Sequence, residues 1–106
     1  GDQALIAVAH ALRDALDGAG MLARWGGEEF AVLFERVPLE RARDICEAMR
    51  QAVERIDCSA YAPDWRLSVS AGIADRAGTL RIEDLVARAD ALLYEAKRGG
   101  RNRIAG

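Results

Sequence analysis

Residues 24–30 read Arg24-Trp25-Gly26-Gly27-Glu28-Glu29-Phe30, and this string restricts the fold more than any other part of the chain. The segments on either side, Met21-Leu22-Ala23 and Ala31-Val32-Leu33-Phe34, are short apolar runs of the kind that form buried strands. A Gly-Gly pair between two such runs predicts a hairpin, because a primed two-residue turn needs positive φ at both positions. Glycines there would also let a phosphate or a nucleoside approach the backbone closely. Two adjacent acids just past the tip suit a hard cation, which prefers carboxylate oxygen. The plain alternative is an ordinary turn carrying two solvated glutamates. On spacing alone the two readings weigh about equally, because Gly-Gly hairpins are common.

The rest of the composition narrows the field. A chain of 106 residues forms one small domain or part of one. With 51% hydrophobic and 30% charged residues it is globular rather than disordered. The net charge is −2 with both signs interspersed, so no broad nucleic-acid footprint is present and no nucleic-acid partner is expected. A small anionic ligand needs only two or three well-placed cations. Cys46 and Cys58 fit neither a disulfide framework nor a zinc site, and both suit a reducing cytosol. Cys46 falls on the apolar stripe of a predicted helix. No run reaches membrane-spanning length and no signal peptide opens the sequence, so the expectation is a cytoplasmic segment without direct membrane contact. A parent protein could still be anchored elsewhere.

Periodicity orders the remaining elements. Leu5, Val8, Ala9, Leu12 and Leu16 make a helical stripe over 2–17, closed by Asp17-Gly18-Ala19-Gly20. The hairpin follows, over 21–25 and 28–35. Pro38 predicts the first helical position of a second helix, with Ala42, Ile45, Cys46, Met49, Val53 and Ile56 on its buried face. Residues 57–66 read as irregular, with Tyr61 and Trp65 packed beneath. Leu67–Ala74 read as a strand interrupted by Gly72. Ile82, Leu85, Val86, Ala89, Leu93 and Ala96 mark a last helix, stopped by Gly99-Gly100, and Asn102–Ala105 could add an edge strand. The order α-β-β-α-β-α-β around a hairpin is α+β, with a mainly antiparallel sheet and helices packed on it.

The string at 24–30 resembles the signature of the GGDEF family, the diguanylate cyclases, in its GGEEF spelling. Four further segments match that family in order and spacing: Gly1-Asp2 before Leu5, Ser68-Val69-Ser70-Ala71-Gly72-Ile73-Ala74, Ala89-Asp90-Ala91-Leu92-Leu93-Tyr94-Glu95-Ala96-Lys97, and Gly100-Arg101-Asn102. The likeness therefore runs from residue 1 to about 105. It implies a fold like that of nucleotide cyclases and polymerase palms. It also implies condensation of two GTP molecules into cyclic di-GMP with release of pyrophosphate.

Carried over residue by residue, the resemblance makes Glu28 a catalytic metal ligand. Glu29 would help hold the second metal or assist removal of the hydroxyl proton. Two magnesium ions per site are implied, with manganese as a possible substitute, and such chemistry lowers the pKa of the attacking 3′-hydroxyl while steadying the triphosphate. Gly26 and Gly27 would let the nucleotide lie on the hairpin tip. Asp2 would accept hydrogen bonds from guanine, although an acid in a helix's first turn also simply complements the dipole. Lys97 and Arg101 would contact the β- and γ-phosphates through charge-assisted bonds. Their plain alternative is a favourable cation at a helix C-terminus. Arg98, Arg103, Asp90, Tyr94 and His10 read as surface or packing residues.

Two departures follow from the same likeness. Product-inhibited members carry Arg-x-x-Asp where this chain has Asp17-Gly18-Ala19-Gly20, so no inhibitory site is expected. The family's first strand, with its metal-binding aspartate, and a guanine-binding Asn both lie before the Gly-Asp at which this sequence starts. Residues 1–106 are thus expected to be an N-terminally truncated GGDEF domain, inactive alone. Activity would need completion, a homodimer with one GTP per protomer, and an upstream sensory domain for control. The alternative is a non-catalytic GGDEF-like module that binds GTP or a partner, against which the intact Gly-Gly-Glu-Glu, Lys97 and Arg101 argue. A purely structural dimerisation piece is the third reading.

Overall fold

The computed structural model describes residues 2–26, 29–57, 68–73 and 81–106. The expectations for Gly27, Glu28, Cys58, Tyr61 and Trp65, and for the end residues Leu67 and Ala74 of the third strand, lie outside them. Seven elements follow in the expected order: α1 (Asp2–Leu16), β1 (Met21–Gly26), β2 (Glu29–Leu33), α2 (Leu39–Glu54), β3 (Ala71–Gly72), α3 (Ile82–Arg98) and β4 (Ile104–Ala105). The chain divides into two compact units, Gly1–Leu67 and Ser68–Gly106.

In the first unit, α1 packs on α2. The α1 stripe buries Val8, Leu12 and Leu16, each a turn apart. Facing side chains come from Ala42, Ile45, Met49 and Val53 of α2, and Val53 has no exposed surface at all. Each fully buried aliphatic side chain contributes roughly 1.5–3 kcal/mol of transfer free energy, so this seam dominates the unit's stability. Cys46 is free and half-buried on the same helix, and burial pushes its thiol up to about 11, which keeps it neutral and unreactive. On the outer side of α2, Arg50 donates to Glu47 at 2.9 Å and to Glu54 at 3.4 Å. The hydrogen bond from Arg50 holds the Glu47 carboxyl below its ordinary range.

Helix α1 ends where the backbone turns left-handed. Asp17 (φ 48°) and Gly18 (φ 76°) follow Leu16, and the Ala19 N–H donates to the Leu16 carbonyl at 2.9 Å. The hairpin begins at once. β1 and β2 pair antiparallel through Met21–Leu33, Leu22–Val32, Ala23–Ala31 and Arg24–Phe30, then shift register to Gly26–Glu29. Pairing thus extends to Gly26, one residue beyond the expected end of the first strand. Pro38 likewise sits one place earlier than expected. It is the N-cap of α2 in an extended conformation (ψ 150°), and its carbonyl accepts the Ala42 N–H at 2.9 Å.

The second unit is a β-α-β crossover. β3 and β4 run parallel, Ala71 beside Ile104 and Gly72 beside Ala105, joined by the N–H of Ile73 donating to Ala105 at 2.9 Å. The tail therefore does add a strand, and its direction is set by α3, since parallel neighbours need a long crossover. Residues 68–70 carry no strand pairing among the described residues, and the ladder is two residues long on each side, shorter than the expected strand. α3 lies directly on β3. A Cβ built on Gly72 would fall on the backbone of Ala89 and Leu93. Only glycine lets helix and strand approach so closely. Gly72→Ala is expected to destabilise the protein by about 1–3 kcal/mol, since backbone on both sides leaves nothing soft to move. A thermal midpoint equal to the wild type would show that α3 can shift.

Candidate functional site

Gly26 and Glu29 form the last cross-strand pair of the hairpin, and the Glu29 side chain is exposed. The preceding pairs divide the hairpin into two faces, as antiparallel pleating requires. Leu22, Arg24, Phe30 and Val32 share one face. Met21, Ala23, Ala31, Leu33 and Glu29 share the other. Met21 and Leu33 are 71% and 45% exposed, so this second face is largely open at the end away from the tip.

The first face looks toward α1 across a cleft of about 510 Å³, lined by Leu5, Ile6, Ala9 and Arg13 of the helix and by Leu22, Arg24 and Phe30 of the strands. Asp2 begins this helix, one turn before Leu5. The cleft thus runs between the Leu5–Arg13 face of the helix and strand residues that include Phe30, next to Glu29 in sequence. Its floor is apolar and its charged lining residues are arginines. Sequence reasoning gave Arg13 no part in a site; its place one turn beyond Ala9 on the Leu5–Ala9 face was the available signal.

At the other expected position, Lys97 lies in the last turn of α3 and Arg101 three residues past the helix end, both exposed. Gly99 closes the helix, and Gly100, Arg101 and Asn102 all take positive φ, of 121°, 64° and 47°. The Arg101 N–H donates to the Ala96 carbonyl at 3.1 Å, folding the turn back over the helix end. Arg103 Nε donates to the Arg101 carbonyl at 3.1 Å. Arg103, read from the sequence as a solvent residue, thus braces the turn that presents Arg101. Arg98 rests over the Tyr94 ring, 5.8 Å from its centroid, and Tyr94, Asp90 and His10 are exposed as expected.

The structure thus brings Gly26 to Glu29, and Lys97 to the turn bearing Arg101. Gly27 and Glu28 lie outside the described residues. Among the described residues no three His, Cys, Asp or Glu side chains lie together. Among the described residues of β1 and β2, Glu29 is the one that offers carboxylate oxygens, the donor type that Mg²⁺ and Mn²⁺ take. Among the described residues no helix is long and apolar enough to cross a membrane.

Comparison with known proteins gives this geometry a family. Residues 1–103 match the family described as "Diguanylate cyclase, GGDEF domain". Diguanylate cyclase DgcM of Escherichia coli K12 is 38% identical over 104 residues, which cover 98% of this chain and 25% of DgcM. Among solved structures, the GGDEF domain of DgcB from Caulobacter crescentus, in complex with c-di-GMP, superposes with a TM-score of 0.90 at 34% identity, covering 99% of this chain and 63% of that one. Diguanylate cyclase SiaD of Pseudomonas aeruginosa, in complex with its activator SiaC, superposes with a TM-score of 0.91 at 30% identity, covering 99% and 40%. The chain belongs to the GGDEF family, and its α+β fold is that of GGDEF domains. It spans about a quarter of the length of DgcM.

Arg101 in a left-handed conformation is strained, because its Cβ crowds the following carbonyl. Arg101→Gly is therefore expected to hold the thermal midpoint or raise it, by up to about 1 kcal/mol of stability. Arg101→Val is expected to lower it. A fall in the midpoint for the glycine variant would mean that the guanidinium itself supports the fold.

Proposed function

We propose that this chain supplies most of the catalytic surface of a diguanylate cyclase, which condenses two GTP molecules into cyclic di-GMP. Each 3′-hydroxyl oxygen bonds to the α-phosphorus of the other nucleotide, the α–β phosphoanhydride bond breaks, and pyrophosphate leaves twice. The hydroxyl proton passes to a base, a role for which Glu29 is the candidate in this chain. The observation that carries the reading is the family match from residue 1 to 103, with its signature falling on the paired tip of the hairpin.

Glu28 and Glu29 would hold the divalent ions, two Mg²⁺ with Mn²⁺ as a substitute. Bound there, such ions acidify a hydroxyl and offset phosphate charge. Gly26 and Gly27 leave room for the nucleotide backbone. Asp2 accepts from the N1–H and 2-amino group of guanine, two donors that adenine does not present together. Lys97 and Arg101 take the terminal phosphates, Arg101 with two oxygens at once. Catalysis needs two protomers, each presenting one GTP, because the product joins two nucleotides head to tail. The greater length of DgcM supports a regulatory segment outside this chain, and residues 1–106 would then form one GGDEF domain with whatever completes it. Cytoplasmic location follows from the supply of GTP. The segment Asp17–Gly20 offers no Arg-x-x-Asp, which supports the absence of an inhibitory product site there.

Incubating the complete protein with GTP and magnesium, and reading cyclic di-GMP by mass spectrometry, tests the proposal. Product is expected; GTP bound without product would favour a non-catalytic GTP- or partner-binding module. Glu28→Ala is expected to lower turnover by about 100-fold or more with the thermal midpoint unchanged, as removal of a transition-state charge partner does. Retained turnover would remove Glu28 from the metal site. Asp2→Ala is expected to reduce the preference for GTP over ATP by about 10-fold or more, through loss of paired hydrogen bonds. Unchanged selectivity would place guanine elsewhere.

A further inference from the structure

The backbone of Gly99 does not explain why a glycine stands there. It caps α3 with φ −73° and ψ −2°, a right-handed conformation open to every residue. Its neighbour Gly100, at φ 121°, does need glycine on conformational grounds. The space beside Gly99 supplies the reason. A Cβ there would stand 2.9 Å from Nη1 and 3.3 Å from Cδ of Arg103, and a Cβ on Gly100 would stand 2.7 Å from Nη2. The two glycines thus form a bare seat on which the Arg103 side chain rests.

From that seat Arg103 Nε donates to the Arg101 carbonyl at 3.1 Å. The Arg101 N–H donates to the Ala96 carbonyl at 3.1 Å, so one polar group of its backbone is held by the helix end and the other by a side chain. Arg101 and Asn102 follow each other at φ 64° and 47°, where a residue with a Cβ is strained. Such a turn persists where its neighbours over-determine it. A guanidinium suits the task, because its donors sit on a rigid planar fork and its charge favours the carbonyl end of a helix. We infer that Arg103 is a positioning residue for Arg101: seated on Gly99 and Gly100, it fixes the left-handed turn from which Arg101 meets the terminal phosphates of a nucleoside triphosphate. Arg103 acts on the Arg101 backbone and not on the nucleotide, and Gly99 keeps its place clear. The inference rests on the proposed role of Arg101 and specifies what holds that residue in position.

A double-mutant cycle in the complete protein tests this, because a residue that works through another loses its effect when the other is gone. Binding of the α,β-methylene analogue of GTP, with magnesium, is measured by calorimetry beside binding of GMP, which lacks the terminal phosphates. The thermal midpoint reports folding. Arg103→Ala is expected to weaken binding of the analogue by about 3- to 10-fold, the scale of one hydrogen bond, and to leave GMP binding unchanged. In an Arg101→Ala background the same change should weaken the analogue by less than about 2-fold. Arg103→Lys keeps the charge without the planar fork and should not restore wild-type affinity. Gly99→Ala should also weaken the analogue while the midpoint holds or rises, since the closest atom belongs to the end of a flexible side chain and alanine restricts the unfolded chain. Equal losses from Arg103→Ala in the two backgrounds would overturn the inference. So would equal losses for the two ligands, unchanged analogue affinity in Arg103→Ala, or full recovery with lysine. If Arg103→Ala fails to fold, Gly99→Ala with and without Arg101→Ala decides in the same way. Equal affinity of the wild type and Arg101→Ala for the analogue would instead be a failure of the phosphate role of Arg101, and the inference would fall with it.

Discussion

The pairing of Met21–Gly26 with Glu29–Leu33 is the constraint on which the functional end of the first unit depends. A strand has a side-chain period of two, so a slip of one residue would exchange the two faces of the hairpin. Leu22, Arg24 and Phe30 would then turn away from the cleft that they form with α1. Half-burial of Leu22, Phe30 and Val32 on one side thus favours this register along the body of the hairpin. That register, read outward to the tip, decides which residues face each other where the carboxylates lie. The single irregularity comes at the last step, between Arg24 and Gly26. There a change of phase no longer disturbs anything in the cleft.

A steric limit plays the corresponding part in the second unit. Gly72 lets α3 rest on β3 with backbone against backbone, and this closeness fixes where the far end of α3 lies relative to the short parallel ladder. The turn after α3 must then reverse tightly to enter β4. Three successive residues with positive φ accomplish it, two of them not glycine. Arg101 is held in that turn by its own N–H on Ala96 and by Arg103 on its carbonyl. The backbone strain is tolerable because the surrounding hydrogen bonds over-determine the conformation.

Much of this was legible in the residues, and the omissions have physical causes. The helical stripes were plain because apolar side chains recur at 3.6-residue spacing: Val8, Leu12 and Leu16 on one helix, and Ala42, Ile45, Met49 and Val53 on the other. The hairpin was equally plain, yet its first strand runs one residue beyond the expected end, to Gly26. Met21-Leu22-Ala23 is apolar at every position, so it carries no alternation from which the phase of β1 could be read, and an inserted bulge leaves no trace in composition. Pro38 moved by one place for a similar reason, since a fixed φ near −65° suits both the N-cap and the first helical position. The direction of β4 was not legible at all. Parallel pairing with β3 is a long-range outcome of the α3 crossover, and two residues cannot announce it. At the end of α3, residue type marked Arg101 as a candidate, but neither its left-handed backbone nor its support from Arg103 has a signal in the residue pattern.

The distribution of charge explains how one small fold can serve stability and binding together. Every buried side chain named in the core is apolar, and among the described residues no polar or charged side chain is buried. Glu29, Lys97 and Arg101 are all exposed. An exposed ion contributes little to folding, because water solvates it nearly as well in the unfolded chain. Its removal therefore disturbs the fold little. The same ion gains value once a ligand excludes the water around it, because the effective dielectric falls and its attraction for an opposite charge rises. Charge at these candidate positions is thus kept off the α1–α2 seam and placed on a strand end opposite a glycine and on a hydrogen-bonded turn at a helix terminus. Binding affinity can then vary with these side chains while the apolar seam, which they do not touch, continues to hold the first unit together.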